Sequence, residues 1–424
     1  MFRRVAFLLS LLVPAAAAAQ LLPPIAAPGL PRVDDVATGV TRELGNVADV
    51  PRTAVALVRD RLDRITTLVR ANRDTIALDD EGEPARAGEV LIDDPDDRLI
   101  SDAAARGFTL IERGTVQGTG IGFARFASPA GQRLPTAIKA MRRIAGDRSV
   151  SADQLHFESG SFMGAAGQLP RNASAAASSL RLGMIDGGVA EPVNPRAKIA
   201  RQGFARGAPG ASNHGTAVAS LMIGSGQVRG AAAGATLWAA DVYGSDPAGG
   251  NASAIAKALG WMSAERVPVV VISLVGPANP LLARVVQAVQ ARGTIIVAAV
   301  GNDGPAAPPS YPASYPGVIA VTGVDAKGRA LIEAGTALHL DYAAPGADML
   351  AANAAGAAVA VRGTSFAAPL VAARIAHFHV NADATAINAA IDAANREASD
   401  LGKRGPDPRY GRGLLCGGCA TPAK

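Results

Sequence analysis

The sequence predicts an α/β protein in two parts: a parallel sheet with helices on both faces over residues 180–424, preceded by a small α+β unit over residues 89–158. Two observations carry this. After residue 180, apolar runs of strand length alternate with helix-length stretches, and the runs at 268–272 and 294–300 are apolar almost without interruption, the mark of strands covered on both faces. Before residue 160, short apolar strands and two helical stretches follow one another in the order β-α-β-β-α-β.

A length of 424 residues exceeds what one hydrophobic core usually supports. With 49% hydrophobic and 18% charged residues the chain is globular, and 47 Gly with 28 Pro call for many turns. The formal charge of +5 comes from scattered residues and aromatics are only 4%, so neither a basic stripe nor a stacking platform for nucleic acid is present.

Taken in order, residues 1–19 read as an export signal: Arg3 and Arg4, an apolar run over 5–13, small residues through Ala19, and cleavage at or near Gln20. The apolar core is shorter than the roughly 18–20 residues of a bilayer span, so the exported product is expected in a periplasm or outside the cell, without a membrane span. Residues 20–88 are Pro- and Ala-rich and then helical, with Leu57, Val58, Leu62, Ile65 and Leu68 at helical spacing and no evident chemistry. In residues 89–158, strands are expected at 90–92, 109–111, 121–126 and 154–157, with helices at 101–106 and 136–144. That order builds a ferredoxin-like sheet with both helices on one face. Gly118, Gly120 and Gly122 precede a strand instead of joining a strand to a helix, so they read as a hairpin and not as a phosphate loop.

Residues 159–179 are rich in Gly and Ala and read as a linker. Asn172 and Asn251 stand in N-x-Ser sequences, too common a match to carry weight. Beyond 180, strands are expected at 182–185, 236–242, 268–272 and 294–300, and helices at 215–223, 254–264 and 281–292. Ligands of such sheets bind past the carboxyl ends of the strands, where Asp186, Ser273 and Asn302 fall. The only cysteines, Cys416 and Cys419, lack the second ligand pair that a zinc site needs, so a small local disulfide is expected.

Three short motifs carry the chemistry: I-D-G-G at 185–188, N-H-G-T-A-V-A at 213–219 and G-T-S-F-A-A-P at 363–369. A serine hydroxyl is a poor nucleophile near neutrality, so Ser365 needs a base, and an imidazole such as His214 suits it. Asp186 can accept the other imidazole N–H, which fixes the tautomer and stabilises the imidazolium. His156, His339, His377 and His379 do not precede Gly-Thr, and His377 and His379 are two apart, off a common helical face, which favours packing or solvent roles over metal binding.

In these motifs, and in the order Asp, His, Ser, the sequence resembles the subtilase family of serine peptidases over roughly residues 178–415. Ser273-Leu274-Val275-Gly276-Pro277, Ala299-Val300-Gly301-Asn302, the stretch 315–321 and Ala343-Ala344-Pro345-Gly346 are similar to subtilase segments as well. The resemblance implies a subtilisin-like sheet and a self-processing endopeptidase that forms an acyl-enzyme on Ser365. It assigns one oxyanion donor to the Asn302 side chain, beside the Ser365 N–H. It also implies that Ser273, Leu274, Val275 and Gly276 form an edge for extended peptide substrates, and that Gly301 and Asp303 lie at the primary pocket. Asp303 favours basic side chains if it points inward, or is an exposed turn residue.

Residues 89–158 resemble the prodomain that subtilases use as folding aid and temporary inhibitor. Its tail is then expected in the cleft, with cleavage between about 160 and 179. No cofactor is expected for catalysis, and no acidic loop is dense enough to assign a structural calcium. One departure stands out, because the family usually has Ser or Thr where Gly187 follows Asp186. The same residues also permit a silent peptide-binding protein or an esterase or acyltransferase.

Overall fold

In a computed structural model, which describes residues 52–168, 178–193 and 197–423, the chain opens with helix α1 (Arg52–Ala71). The expected signal segment and the stretch 169–177, with Asn172, lie outside the described residues. The apolar spacing read from the sequence is used as expected at the C-terminal end of α1, where Leu68 and Val69 pack against Ile76, Leu155 and Ala248.

Next come β1 (Ile76–Leu78), β2 (Pro84–Asp93), α2 (Asp97–Ala104), β3 (Thr109–Thr115), β4 (Gly122–Ala127), α3 (Leu134–Ala145) and β5 (Val150–Gln154). The antiparallel sheet runs β3-β4-β2-β5, with β1 paired to the start of β2. This is the β-α-β-β-α-β order read from the sequence. One face carries Val90, Ile92, Phe126 and Ala152 against Leu99 of α2 and Ile138 and Met141 of α3.

Two boundaries differ from the sequence reading. Helix α2 starts at Asp97, earlier than 101, because the Asp96 carboxylate caps it by accepting the Leu99 N–H at 2.8 Å. Strand β5 ends at Gln154, because Val150 and Ala152 are the residues that face the two helices, while Phe157 belongs to a segment that has left the sheet.

That segment contains β6 (Phe157–Glu158) and β7 (Ser161–Gln168). Part of what reads as a linker is therefore a strand. The second part follows with β8 (Arg181–Asp186), β9 (Ile199–Gly203), α4 (Asn213–Ile223), β10 (Thr236–Asp241), α5 (Ala252–Ala264), β11 (Val269–Ile272), β12 (Leu274–Val275) and α6 (Pro280–Ala291). It closes with β13 (Ile295–Ala299), β14 (Ile319–Val324), β15 (Tyr342–Pro345), β16 (Met349–Ala352), β17 (Ala357–Arg362), α7 (Thr364–Ala376) and α8 (Ile387–Glu397).

Seven of these strands form a parallel sheet in the order β15-β14-β13-β11-β8-β10-β9. Its strands are apolar throughout because alternate side chains serve two cores. Met184, Val269, Val271 and Val297 meet Val218 and Met222 of α4 and Val371 of α7. Ile185, Val270, Ile272 and Ile296 meet Ile255 and Leu259 of α5 and Leu282 and Val286 of α6.

The first unit rests on α5 and α6. Asp153 sits at the N-terminus of α5, accepting the Ser253 N–H at 2.8 Å and the Ser253 hydroxyl at 2.7 Å, a favourable place for an anion. Asn279, which caps α6, donates to Ala152 O at 3.1 Å and Gln154 Oε1 at 2.6 Å. The expected glycine hairpin between β3 and β4 abuts α5: a Cβ on Gly118, whose φ is +70°, would lie 2.9 Å from Ala264 N. Asn251 is buried as the cap of α5, so its sequon presents no accessible amide. Cys416 and Cys419 are joined as a disulfide, as expected. Among the described residues no helix is long and apolar enough to cross a membrane.

Candidate active site

The carboxyl end of β8 places Asp186 beneath the start of α4. Ser212 caps that helix by accepting the Gly215 N–H at 2.9 Å, which aims the next residues into the cleft. His214 Nδ1 then donates to Asp186, with both carboxylate oxygens at 2.9 and 3.0 Å. The Gly187 N–H adds a third contact to Asp186 Oδ1 at 2.7 Å. Burial by itself favours a neutral His214 imidazole, but the adjacent Asp186 and, further off, Glu158 outweigh it and hold the imidazole up to about 9.

Ser365 is the second residue of α7, where a backbone N–H has no partner within the helix. Gly363, at φ +145°, makes the turn into that helix. Thr364 locks the turn to the loop after β13: its hydroxyl accepts the Gly301 N–H at 3.0 Å and donates to Gly301 O at 3.1 Å. Asn302 Oδ1 accepts the Thr364 N–H at 3.0 Å, which leaves Asn302 Nδ2 buried without a hydrogen-bond partner. That amide lies 2.8 Å from where a Cβ on Gly363 would stand. An unpaired buried donor at the turn into α7 is a group that can serve an oxyanion.

The Ser365 hydroxyl donates to Ser273 O at 3.1 Å and lies 2.7 Å from the Ser159 hydroxyl. His214 Nε2 has no hydrogen-bond partner among the described residues, so the serine–imidazole bond is not made in this arrangement. Bonds of this kind often tighten only in the reacting complex.

The chain's own segment fills the cleft. Strand β6 pairs antiparallel with β12, Phe157 opposite Val275 and Glu158 opposite Leu274. Strand β7 pairs antiparallel with β17, Ser161 opposite Arg362 and Phe162 opposite Val361. Between the two ladders, Ser159 and Gly160 pass Ser365, which is wholly buried. Gly160 has φ +149°, and a Cβ there would stand 2.6 Å from the Phe366 ring, so the passage admits only glycine.

The residues expected to bind substrate divide into two groups. Ser273 and Leu274 are fully buried, Ser273 bonding both ways with Ser365 and Leu274 lending its backbone to β6. Val275, Gly276, Gly301 and Asp303 line a cavity of about 780 Å³ whose opposite wall includes Arg61, Arg64, Ile65 and Leu68 of α1. Asp303 pairs there with Arg61 at 3.4 Å and with Arg64. Sequence reasoning assigned no chemistry to α1. The available signal was two arginines three apart, on one helical face.

Glu158 was missed too. As a whole residue it stays exposed, yet its carboxylate and the ligating atoms of Asp186 and His214 lie within 4.8 Å of one another. Desolvation around this carboxylate, with the Asp186 charge behind it, raises Glu158 to about 7.

A model of the subtilase family matches residues 198–413, just over half of the 424-residue chain. The chain belongs to the subtilase family. By class this subtilase is a subtilisin-like serine endopeptidase. It is 28% identical to subtilisin DY of Bacillus licheniformis over 56% of this chain and 89% of that protein. It is 32% identical to subtilisin E of Bacillus subtilis over 48% of this chain, but spans only 54% of that relative's length. In fold it is similar to fervidolysin from Fervidobacterium pennivorans, a keratinolytic enzyme related to subtilisin, at TM-score 0.65 and 18% identity over 80% of this chain and 61% of that one. The epidermin leader peptide processing protease of Staphylococcus aureus is likewise similar in fold, at TM-score 0.58 and 16% identity over 78% of this chain and 96% of that one.

Proposed function

We propose that this subtilase is an exported precursor that cuts its own chain between Ser159 and Gly160 and then hydrolyses extended protein segments through an acyl-enzyme on Ser365. The observation that carries this is the chain's own segment, paired at β6 with β12 and at β7 with β17, with the Ser159–Gly160 bond between the ladders beside Ser365.

In this reading Ser365 Oγ turns from Ser273 O toward His214 Nε2, gives up its proton there and attacks the Ser159 carbonyl carbon. Asp186 holds the resulting imidazolium. Asn302 Nδ2 and the Ser365 N–H take the oxyanion. His214 returns the proton to the Gly160 nitrogen as the C–N bond breaks, and water hydrolyses the Ser159 ester by the same route. No cofactor enters these steps.

The first unit then acts as an inhibitor until it departs. Its position on α5 and α6, the hydrogen bonds that Asp153 accepts from Ser253 at the start of α5, and the occupied cleft support that role. Asp303, held by two guanidinium groups across the cavity, supports a preference for substrates that bring a basic side chain to that wall. Gly187 in the sequence and the unmade bond between His214 and Ser365 are the features that favour a silent peptide-binding protein.

A fluorophosphonate probe and casein, applied to wild type and Ser365→Ala, separate these readings. Labelling on Ser365 with casein digestion by wild type only supports the endopeptidase. Folded wild type that is unlabelled and inert points to the silent binder, and labelling with ester turnover alone points to an acyltransferase.

A further inference from the structure

The place next to the catalytic dyad, where this chain departs from its family, is occupied by a side chain that has no part in the bond-breaking steps. Gly187 brings no side chain, and a Cβ there would lie 2.3 Å from Ser212 Oγ and 2.9 Å from Glu158 Oε1. The absent side chain therefore leaves room for both the helix cap and the carboxylate of the cleft-bound segment. Glu158 is fixed by its backbone, paired with Leu274 in the β6–β12 ladder. Its main chain cannot withdraw while the segment stays docked.

We propose that Glu158, seated in the space left by Gly187, is a brake on cleavage of the chain at Ser159–Gly160, because its carboxylate keeps the proton on His214 that the imidazole must lack to act as base. The inference rests on the self-processing reading. The titratable groups facing the Glu158 carboxylate are Asp186 from β8, His214 from α4, Asp241 from the end of β10 and Tyr243 just beyond it. Three are acidic groups and one is the imidazole. An ionised Glu158 therefore finds its favourable partner in a protonated His214, and the two charges support each other. General-base catalysis needs the opposite state, a neutral imidazole at the moment of attack. The raised proton affinity of His214 and the upward shift of Glu158 to about 7 agree with this coupling.

The brake is confined to the precursor. Once the bond is cut and the first unit leaves, Glu158 leaves with it, and His214 keeps only Asp186. The same arrangement predicts that a separate peptide with Glu before the cleaved residue slows its own turnover.

The test uses the full precursor, as wild type and Glu158→Gln, with cleavage at Ser159–Gly160 followed by intact mass from pH 6 to pH 10. The rate is expected to climb with a midpoint near 9 for wild type. For Glu158→Gln the midpoint falls by about one unit, making cleavage about threefold faster near pH 8, where Glu158 is ionised. Mature enzyme is then given the peptides His-Phe-Glu-Ser-Gly and His-Phe-Gln-Ser-Gly. The kcat profile of the first is expected to rise at higher pH, while the kcat/KM limbs, set by the free enzyme, coincide.

If both precursors are cut by Ser365 at that bond with superimposable pH profiles, the brake is wrong and self-processing stands. If neither precursor is cut there, self-processing and a brake on it both fail, and NMR titration of His214 in the Ser365→Ala forms decides whether Glu158 holds the imidazole proton at all. A lower His214 midpoint in Glu158→Gln supports that hold, and an unchanged midpoint overturns it.

Discussion

At the scale of single residues, steric room and the pairing of charge decide most outcomes. Gly187 is the sharpest case, since its missing side chain reads from sequence as a lost hydroxyl but in space is a fit to Ser212. Gly187→Ala is expected to destabilise the Ser365→Ala precursor by about 1–3 kcal/mol, the usual cost of overpacking. Adding Ser212→Gly removes the contacts with Ser212 and leaves the one with Glu158, so denaturant midpoints of the three forms should show partial recovery. Asn302→Ala is expected to lower kcat on a peptide by about 10²–10³ with little change in KM, a magnitude taken from the oxyanion asparagine of a subtilisin. Asp186, His214 and Ser365 were legible in the sequence because each answers a demand of the chemistry. The resemblance placed the tail in the cleft with cleavage from about 160 onward, but Glu158 and Ser159 were not singled out, because which residues pass Ser365 is decided by tertiary structure.

Among elements, the parallel strands were the most legible, since burial on both faces leaves an uninterrupted apolar run in each. Strand β7 was hidden for the converse reason: its sequence offers Gly164, Ala165, Ala166 and Gly167, weak strand formers, and its ladder depends on the exposed edge of β17. Helix α1 was visible as a helix but not as a wall of the cleft. Its arginines reach Asp303 across 239 residues of chain in the case of Arg64, a separation that no local pattern reports.

The contact between units makes its own prediction. Asp153 is fully buried and accepts two hydrogen bonds from Ser253 at the start of α5. Replacing it with alanine strands the Ser253 N–H, at about 1–3 kcal/mol, while the hydroxyl keeps Asn251 Oδ1 at 3.0 Å. A first unit carrying Asp153→Ala should therefore inhibit the mature enzyme roughly 5- to 150-fold less tightly, measured as an inhibition constant against a peptide substrate.

For the whole molecule, the chain with its cleft occupied by β6 holds protons at Glu158 and His214, and its stability should follow pH accordingly. His214 rises from an ordinary 6.5 to about 9 on folding. Its stabilising contribution is full below 6.5 and is lost as pH climbs through 9, since only the folded chain keeps the proton in that window. Glu158 shifts upward from 4.5 to about 7 and gives a loss of the same sign between those values. The Ser365→Ala precursor should accordingly melt lower at pH 9 than at pH 6.5, by roughly a few degrees. His214→Ala should flatten that dependence.

The account stands on one bond lying at one serine. N-terminal sequencing and intact mass of purified wild type, beside Ser365→Ala, test it most directly. A wild-type chain that begins at Gly160, with an uncut Ser365→Ala chain, is the predicted result. A mature chain that retains residues 89–158, or cleavage at Gly160 that persists without Ser365, would contradict it.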